Sequence, residues 1–548
     1  MMKIAKGTLW RIAAAAASAL LMWSAFAERG ESLNICFAIA PMLLLSRLSP
    51  RRVSARWWFF CGLAFWFASL SWMPAIIKNN GPWPLVVLGW GALTVYCSAF
   101  FWLFGWLVAW ARETLGEGKC GRYLSLFVAE PVLWAFVEWL RATLFGGFAW
   151  NFLGVAAAQT ALSASPASIG GVYLVSALVV LANGVVATFV ERSIGPMLGR
   201  PRADRSFKAR ILRALETGVP LLLIILAFLA ASLHVVLYKL RLPVRVAMIQ
   251  RNFPCVFSQE EGEDPFDVYA RLLSTASLAK PDLTVFSESA MCEFGGARTE
   301  RAVDAITRLR KDSNLSGAVL AGANDREKVG DEYRMYNAAA LYPERGLIQV
   351  YRKQHLVPFG EFIPLDKTFP VLQKLAPIGS IYPGEPKLLD VPVKRVDGTA
   401  WNLKVAPLIC FEDTDPTLSR RAAKDGAHIL AFVTNDSWFS NSAEAVQHFR
   451  QSVLRCVETG LYAVRTGNSG VTGVIYPSGR FEVLKDSEGK FLVDAAGSMT
   501  HTINLPACNP ATPNGSSTLY VKLGDAPLLV VSGALILSIF ALAWRRRL

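Results

Sequence analysis

Residues 405–412 read VAPLICFE, a short apolar run that ends in a cysteine. The run 405–409 is brief and rich in aliphatic side chains, which predicts a buried β-strand. Cys410 follows the strand, so its thiol is expected to project from a strand-to-loop corner. A thiol there predicts a nucleophile, provided that a neighbouring group removes its proton. A buried, unreactive thiol is the alternative interpretation of Cys410 taken alone.

Similar apolar runs lie on both sides of this one. We predict buried strands at 244–250, 283–286, 318–321, 405–409 and 429–433, and helices at 269–279 and 300–312. Strands that alternate with helices are typical of a sheet covered by helices. Polar residues follow three of the strands, namely Glu288, Cys410, and the pair Asn435 and Asp436. Ligands of α/β sheets bind outside the carboxyl ends of strands, so these residues predict a site there.

Charged residues that could assist the thiol lie in two other segments. LTVFSES at 283–289 supplies Glu288, and YRKQHLVPFGEFIP at 351–364 supplies Lys353 and Glu361. A carboxylate can take the thiol proton, and a cation can stabilise an oxyanion. Each residue alone has an ordinary alternative. Glu288 could neighbour a helix N-cap or form a loop salt bridge, and Lys353 could be a solvated surface charge.

Long apolar runs dominate the rest of the chain. Of its 548 residues, 53% are hydrophobic and 18% are charged, below the roughly 25% charged residues of soluble domains. A membrane-spanning helix needs about 20 apolar residues. We predict about eight spans, at 8–27, 33–48, 57–77, 84–109, 123–143, 168–190, 219–239 and 526–544. The first run has a basic flank but no clear signal-peptide cleavage site, so we predict an uncleaved helix.

Basic residues predict the orientation of these helices. The net charge is +14, and basic clusters at 1–6, 51–56, 192–213 and 545–547 lie beside apolar runs. This pattern favours membrane topology over nucleic-acid binding. If about eight helices alternate, every cluster is cytoplasmic, and both termini are cytoplasmic with them. The globular part is then periplasmic in a Gram-negative bacterium. We predict a transmembrane domain at 1–240, a periplasmic catalytic domain at 241–525, and a last helix with a basic tail at 526–548.

The cysteine and histidine pattern predicts no metal site. Nine cysteines without repeated spacing argue against a disulfide framework, and no CxxC pair predicts zinc. His355 and His448 are isolated from other ligand types in sequence, so we interpret both as structural hydrogen-bonding residues. The uncharged stretch at 145–159 has two interpretations. It is a headgroup-level loop with Trp150 as its interfacial anchor, or a re-entrant wall of a lipid-accessible cavity.

Several segments together resemble a known family. Glu288 at a strand end, Lys353 in its RKxHLVPFGEF segment, and Cys410 followed two residues later by Glu resemble the Glu–Lys–Cys constellation of the nitrilase, or carbon–nitrogen hydrolase, superfamily. The more specific resemblance is to its membrane branch, the apolipoprotein N-acyltransferases. Further segments extend it over essentially the whole chain: EWLRATLFGGFAWNFLGVAAAQ at 138–159, TNDSWFS at 434–440, QHFRQSVLRCVETG at 447–460, RTGNSGVTGVIYPSG at 465–479 and TLYVKLGD at 518–525.

The resemblance implies a fold and an activity. The fold is an α-helical polytopic membrane domain plus an α/β nitrilase-like domain, an αββα sandwich. The activity moves an acyl chain from a phospholipid, through a thioester on Cys410, to the α-amino group of the N-terminal S-diacylglyceryl-cysteine of a lipoprotein. The implied enzyme is a monomer that needs no cofactor. Its partners are the phospholipid donor, the lipoprotein acceptor and membrane lipids.

The resemblance also implies residue roles. Glu288 is the general base, Cys410 the nucleophile, and Lys353 an oxyanion partner together with the backbone N–H that follows the nucleophile. Supporting roles are implied for Glu361, Phe411 and Glu412.

Two positions depart from the family pattern. Phe411 stands where a tyrosine is common, and Gln259 stands about where a tryptophan is common. Trp150 and Trp438 are the candidates to line the lipid site instead. Two other functions stay open. One is a membrane-tethered amidase with the same catalytic residues and water as acceptor, and the other is a non-catalytic lipoprotein-binding relative.

Overall fold

The computed structural model describes residues 2–27, 32–79, 81–116, 118–194, 207–232, 240–253, 263–363, 381–394, 400–509, 512–513 and 518–546. The backbone divides into two compact units. The helical unit comprises Met1–Pro74, Val86–Val235 and Leu523–Leu548, and the α/β unit comprises Ala75–Leu85 and Val236–Lys522. The domain boundaries expected from the sequence, after 240 and after 525, stay predictions.

The helical part of the chain is built from long apolar helices joined by short ones. In chain order these are α1 (Met2–Phe26), α2 (Ala40–Leu48), α3 (Arg51–Ser69), α4 (Ala75–Lys78), α5 (Trp83–Leu115), α6 (Lys119–Leu124), α7 (Glu130–Thr143), α8 (Leu153–Ala157), α9 (Ala161–Ala164), α10 (Ala167–Ile194) and α11 (Phe207–Ser232). A final helix, α17 (Ala526–Arg545), returns to this unit at the end of the chain.

Five of the predicted spans are helices long and apolar enough to cross a membrane. They are Thr8–Phe26, Trp83–Leu115, Cys120–Gly146, Ala167–Ser193 and Ala526–Arg545. The predicted spans at 33–48 and 219–239 correspond to shorter apolar helices, Leu33–Leu48 and Gly218–Leu229, and residues 233–239 lie outside the described residues. The predicted run 57–77 is displaced, because α3 starts at Arg51 and ends at Ser69, ahead of Pro74. The count of about eight spans is therefore approximate.

The uncharged stretch at 145–159 is non-helical from 147 to 152. Its backbone is held from α7, where Arg141 Nη1 donates to the carbonyls of Phe148 at 2.6 Å and Trp150 at 2.9 Å. The Trp150 side chain is 2% exposed and packs against Trp72 and Phe148. Neighbouring side chains shelter this segment. Shelter by protein is what non-helical backbone would need inside a membrane. A ring enclosed in this way does not act as an interfacial anchor.

The α/β unit contains two sheets. The seven-stranded sheet has the order β13-β12-β1-β2-β3-β4-β5, and the six-stranded sheet has the order β11-β10-β9-β8-β7-β6. The strands are β1 (Leu240–Gln250), β2 (Leu283–Phe286), β3 (Ala318–Val329), β4 (Glu332–Tyr342), β5 (Gln349–Arg352), β6 (Leu389–Lys394), β7 (Ala400–Ile409), β8 (Ile429–Asn435), β9 (Tyr462–Asn468), β10 (Gly473–Ile475), β11 (Phe481–Val483), β12 (Gly497–Asn509) and β13 (Thr512–Pro513).

In the described part of this unit, five α-helices accompany these strands. They are α12 (Pro265–Ala276), α13 (Glu300–Ser313), α14 (Pro416–Lys424), α15 (Glu444–Thr459) and α16 (Leu519–Leu523). Apolar residues from the facing sides of both sheets form one buried core. The other side of the first sheet packs on α12 and α13, and that of the second packs on α14 and α15. The layers therefore run helix, sheet, sheet, helix, which confirms the predicted αββα sandwich.

The predicted site residues lie just beyond the carboxyl ends of parallel strands. Within the first sheet β1, β2 and β3 are parallel, and within the second β7, β8 and β9 are parallel. Glu288 follows β2, Cys410 follows β7, and Asp436 follows β8. All five predicted strands are confirmed. Four are longer than predicted, most clearly β3, which continues to Val329 in an antiparallel arm with β4.

Candidate active site

Cys410 lies at the first position of a tight turn. A 3₁₀ turn, Cys410–Thr414, follows β7 directly, and Cys410 has a φ of 51°. A positive φ is uncommon for a residue with a Cβ and marks backbone strain. The side chain is partly exposed and packs against the core between the sheets. The strand-to-loop corner predicted for this thiol is therefore present.

Glu412 anchors this turn to the exit of β5. Its carboxylate accepts hydrogen bonds from the Ile409 N–H at 2.7 Å and the Gln354 N–H at 2.6 Å. It also accepts from the His355 N–H at 3.2 Å and from the Tyr351 hydroxyl at 2.9 Å. Burial raises the pKa of Glu412, although three backbone N–H groups oppose that shift. The Glu412 side chain is fully buried, so its position supports the turn rather than the substrate.

Lys353 and Glu361 form a buried ion pair beside the turn. Lys353 follows β5, its side chain is 1% exposed, and its Nζ lies 2.8 Å from Glu361 Oε1. Burial by itself would lower the pKa of Lys353, but Glu361, Cys410 and Glu288 raise it above its usual value. Burial opposes ionisation of Glu361, yet Lys353 lowers the pKa of that carboxyl. Lys353 is therefore a fixed cation, and Glu361 is its charged partner.

Asn337 connects the two carboxylates predicted from the sequence. Its Nδ2 donates to Glu288 Oε1 at 2.7 Å and to Glu361 Oε1 at 2.7 Å. Asn337 lies on β4 and is buried. This residue was not predicted from the sequence. The one signal was an amide in the run YNAAALY, where the side chains around it are apolar or aromatic.

Glu288 influences the protonation of Cys410. Burial raises the pKa of Glu288, and the Lys353 cation opposes that rise. Burial likewise raises the pKa of the Cys410 thiol, to which Glu288 adds and which Lys353 opposes. The structure therefore brings Glu288, Lys353, Glu361 and Cys410 into one electrostatically coupled group. A thiol, a carboxylate with a raised pKa and a fixed cation suit acyl transfer through a cysteine.

The remaining predicted residues lie in three different settings. Phe411 makes an edge-to-face contact with the His355 ring, at 5.5 Å between centroids. Trp438 lies in the 3₁₀ turn Ser437–Phe439 after β8, within the α/β unit. Trp150 lies in the helical unit, and Gln259 lies outside the described residues.

Asn79 holds the turn that carries Trp438. Its Nδ2 donates to the carbonyls of Ser437 at 3.2 Å and Trp438 at 2.9 Å. Asn79 belongs to the short segment Ala75–Leu85, which packs with the α/β unit although its sequence neighbours are apolar helices. Nothing in the sequence indicates this contact, because residues 79 and 438 are far apart in the chain.

Among the described residues, one group has the composition of a metal site. The ligand atoms of Asp436, Glu444 and His448 all lie within 4.8 Å of one another. His448 was expected to be isolated from other ligand types, but the fold brings these carboxylates to it. Its Nδ1 lies 2.9 Å from Asp436 and its Nε2 lies 3.0 Å from Asp413. Both ring nitrogens therefore face carboxylates, which favours an ion-paired imidazolium over a metal ligand.

Comparison with known proteins identifies the family. Residues 18–185 match the Apolipoprotein N-acyltransferase N-terminal domain, and residues 245–509 match the Carbon-nitrogen hydrolase family. An apolipoprotein N-acyltransferase of Geobacter metallireducens is 32% identical over 84% of this chain and 84% of its own length. One of Chromobacterium violaceum is 27% identical over 98% of this chain and 94% of its own length. These matches confirm the resemblance found in the sequence, and the chain belongs to the apolipoprotein N-acyltransferase family.

Proposed function

We propose that this protein transfers an acyl chain from a phospholipid to the N-terminal amine of a diacylglyceryl-lipoprotein, through a thioester on Cys410. The observation that carries this proposal is the strained Cys410 turn, coupled to buried Glu288 and Lys353 in a chain of this family. The helices long and apolar enough to cross a membrane fit lipid-borne substrates, because confinement to a bilayer surface makes productive encounters more frequent.

In the first half-reaction Glu288 takes the proton of the Cys410 thiol. The thiolate attacks an ester carbonyl of the phospholipid, and a C–S bond forms while charge develops on the carbonyl oxygen. Lys353 and the Phe411 backbone N–H stabilise that oxyanion. The intermediate then expels the lysophospholipid oxygen, which takes its proton from Glu288. Burial supports this role, because it raises the pKa of Glu288. A general base is most efficient when its pKa lies near the pH at which the enzyme works.

In the second half-reaction the lipoprotein amine attacks the thioester carbonyl. Glu288 takes a proton from the attacking nitrogen, and the C–S bond breaks. The proton returns to Cys410, so the free thiol is restored. A thioester suits this step because an amine displaces a thiolate more easily than it displaces the alkoxide of the parent ester. The two substrates use the pocket in turn, so the expected kinetics are ping-pong.

Glu361 and Asn337 act on the reacting groups indirectly in this scheme. Glu361 holds the Lys353 ammonium at 2.8 Å, and Asn337 donates to both Glu361 and Glu288. A fixed carboxylate and a fixed amide leave the base and the cation few alternative positions. Charged groups that are held in place in this way need to move little when the oxyanion forms.

We further propose a location and arrangement for the enzyme. It is a monomer of the bacterial inner membrane, with the catalytic domain at 241–525 in the periplasm and both termini in the cytoplasm. The positions of the basic clusters beside the apolar runs support this orientation. Trp438, near the end of β8, is a candidate to contact the lipid substrate.

Intact-mass analysis of the full-length protein mixed with phospholipid vesicles tests the proposed function. We expect a mass increase of one acyl chain, which hydroxylamine removes, and no increase with Cys410→Ala. Adding a diacylglyceryl-peptide should discharge the protein and acylate the peptide. Discharge to water at the same rate, without acylated peptide, would indicate a hydrolase instead. A Cys410→Ala protein that still acylates the peptide would exclude the thioester route.

A further inference from the structure

A second group of buried charges holds the Cys410 turn from the side of Asp413. We call it the Asp413 cluster, and it comprises Asp413, Asp436, His448 and Arg465. Each member comes from a different element: the 3₁₀ turn after β7, the residue after β8, helix α15 and strand β9. The four side chains are 2% exposed or less. The proposed mechanism uses none of them.

Two cations each bridge the same two carboxylates. His448 Nε2 lies 3.0 Å from Asp413 Oδ1, and His448 Nδ1 lies 2.9 Å from Asp436 Oδ1. Arg465 Nη1 lies 2.6 Å from Asp413 Oδ2, and Arg465 Nη2 lies 3.5 Å from Asp436 Oδ2. The cluster is therefore a closed ring of alternating charges, and it fixes the two aspartates relative to each other.

The partners of His448 favour its charged form. A carboxylate only accepts hydrogen bonds, so two carboxylates within 3.0 Å of the two ring nitrogens favour an imidazole that carries a proton on each nitrogen. Burial alone would lower the pKa of His448, but Asp413 and Asp436 raise it well above its usual value, against the opposing charge of Arg465. The positive charges of His448 and Arg465 then balance the negative charges of the two buried aspartates.

The other groups around the ring do not change this balance. On α15 itself, Glu444 Oε1 lies 3.5 Å from His448 Nδ1. Burial and the charge of Asp436 raise the pKa of Glu444, which opposes a third negative charge beside the ring. Ser452, also on α15, donates to Asp413 Oδ2, and Thr434 on β8 donates to Asp436 Oδ1 at 3.0 Å.

The cluster acts on Cys410 by position and by charge. Asp413 is the third residue after Cys410 in the same 3₁₀ turn, so anchoring Asp413 also anchors the strained residue. Asp436 is close enough to Cys410 for its charge to raise the pKa of the thiol, in addition to burial and Glu288. A cation paired with Asp436 reduces that effect. Removing the cation should therefore make the thiol harder to ionise.

We propose that His448 is a positioning residue for Cys410, held as a cation between Asp413 and Asp436, where it fixes the nucleophile turn and neutralises the aspartate that would oppose thiolate formation. This inference rests on the proposed role of Cys410 as the nucleophile. It adds a charge-balancing function to a helix that lies outside the Glu288, Lys353 and Glu361 group.

Alkylation of Cys410 by iodoacetamide tests the inference without requiring acyl transfer. The full-length protein in detergent is alkylated at a series of pH values, and the peptide containing Cys410 is quantified by mass spectrometry. His448→Gln removes the cation and should move the midpoint of the profile upward by about one pH unit, with about tenfold slower alkylation below it. Asp436→Asn removes the opposing anion and should move the midpoint downward.

Controls separate this charge effect from loss of structure. His501→Gln makes the same exchange on β12, beside Tyr476, and should leave the profile unchanged. The double variant His448→Gln with Asp436→Asn should return towards the wild-type midpoint, because its charges balance again. If His448→Gln does not fold, the direction of the Asp436→Asn shift alone decides. Unchanged profiles, or shifts of both single variants in one direction, would overturn the inference. If the variants show these shifts but the wild-type protein never becomes acylated, the proposed function is refuted and the positioning role of His448 is not.

Discussion

Cys410 adopts a backbone conformation that costs free energy. Backbone strain of this kind costs on the order of 1–3 kcal/mol and persists only where the surrounding structure enforces it. The next residues supply that enforcement. Glu412 accepts hydrogen bonds from the exit of β5, and Asp413 is ion-paired to α15 and β9. The Cys410 thiol is therefore presented by a turn that is fixed at the two residues that follow Phe411.

The two carboxylates near Lys353 are shifted in opposite directions. Lys353 lowers the pKa of Glu361 against the effect of burial, whereas burial raises the pKa of Glu288. Groups whose environments separate their pKa values in this way divide the acid–base work between them. Glu361 stays ionised as the partner of Lys353, and Glu288 is the carboxylate suited to exchange a proton.

This division predicts the effects of two substitutions. Glu288→Gln should insert into the membrane and fold, but it should not form the acyl-Cys410 adduct, because an amide cannot take the thiol proton. Lys353→Ala should slow adduct formation by about 10²–10³, the usual cost of losing one preorganised oxyanion donor. Both rates are measured by intact mass in single-turnover mixtures with phospholipid vesicles.

Glu300→Gln is the matched control, because Glu300 is an exposed residue in the first turn of α13. It should acylate at the wild-type rate. Wild-type acylation by Glu288→Gln or by Lys353→Ala would remove that residue from the mechanism.

The sequence allowed the charged residues of the site to be predicted, but not the residues that hold them. Glu288 and Cys410 stand at strand ends, and polar residues there are visible in a sequence. Asn337 and His448 lie inside a strand and a helix. Their partners come from other elements, and no local spacing records those contacts. The isolation of His448 in sequence was therefore a poor guide to its surroundings.

At the scale of elements, the Trp438 turn is held by a segment distant in sequence. Asn79 follows helix α4 and donates to two successive carbonyls of that turn. The turn is also tied internally, because the Ser437 N–H donates to Asn435 Oδ1 at 3.2 Å. Asp436, a member of the Asp413 cluster, lies between these two residues. Motion of the turn would therefore disturb the charges near Cys410.

The Asn79 contact predicts a measurable defect. Asn79→Ala removes two donors, each worth about 0.5–1.5 kcal/mol, so acylation of Cys410 should slow by about tenfold. Asn79→Asp should be slower still, because a carboxylate would face two carbonyl oxygens. Both rates are measured in acylation reactions with phospholipid vesicles that are stopped at a series of times. Lys78→Ala, at the exposed preceding residue, should match the wild type, and an unaffected Asn79→Asp would show that the contact has no role in the reaction.

Strand boundaries were predicted well where the whole strand is buried, and poorly where strand pairing continues beyond the buried core. The strand predicted at 283–286 has the observed bounds of β2. The strand predicted at 318–321 continues to Val329, because polar residues beyond the core pair with β4. A pattern of apolar residues in the sequence does not reveal the exposed part of β3 that pairs with β4. In the helical part, the predicted run 57–77 missed that the arginines beginning at Arg51 are already helical.

At the scale of the whole molecule, one chain combines a helical unit with an α/β unit that carries the candidate site. The family matches cover both parts, at 18–185 and 245–509. Five helices among the described residues are long and apolar enough to cross a membrane, which fits a protein whose proposed substrates are held in one. Orientation then decides which substrates the enzyme meets, because lipoprotein N-termini are acylated on one side only in the proposed scheme.

Reporter fusions test that orientation. Each basic cluster is cytoplasmic if about eight helices alternate, because Lys and Arg are enriched in cytoplasmic loops. A reporter that works only in the cytoplasm should therefore be active when it is fused after Arg213 or after Leu548. Fused after Asp397, in the segment between the seventh and last predicted spans, it should be silent. A reporter that works only in the periplasm should give the reverse pattern. This control would show that the inactive cytoplasmic reporter is not explained by degradation of the fusion protein. Cytoplasmic activity at Asp397 would invert the topology and remove the periplasmic assignment, whereas silence at Arg213 alone would change the number of helices before the catalytic unit.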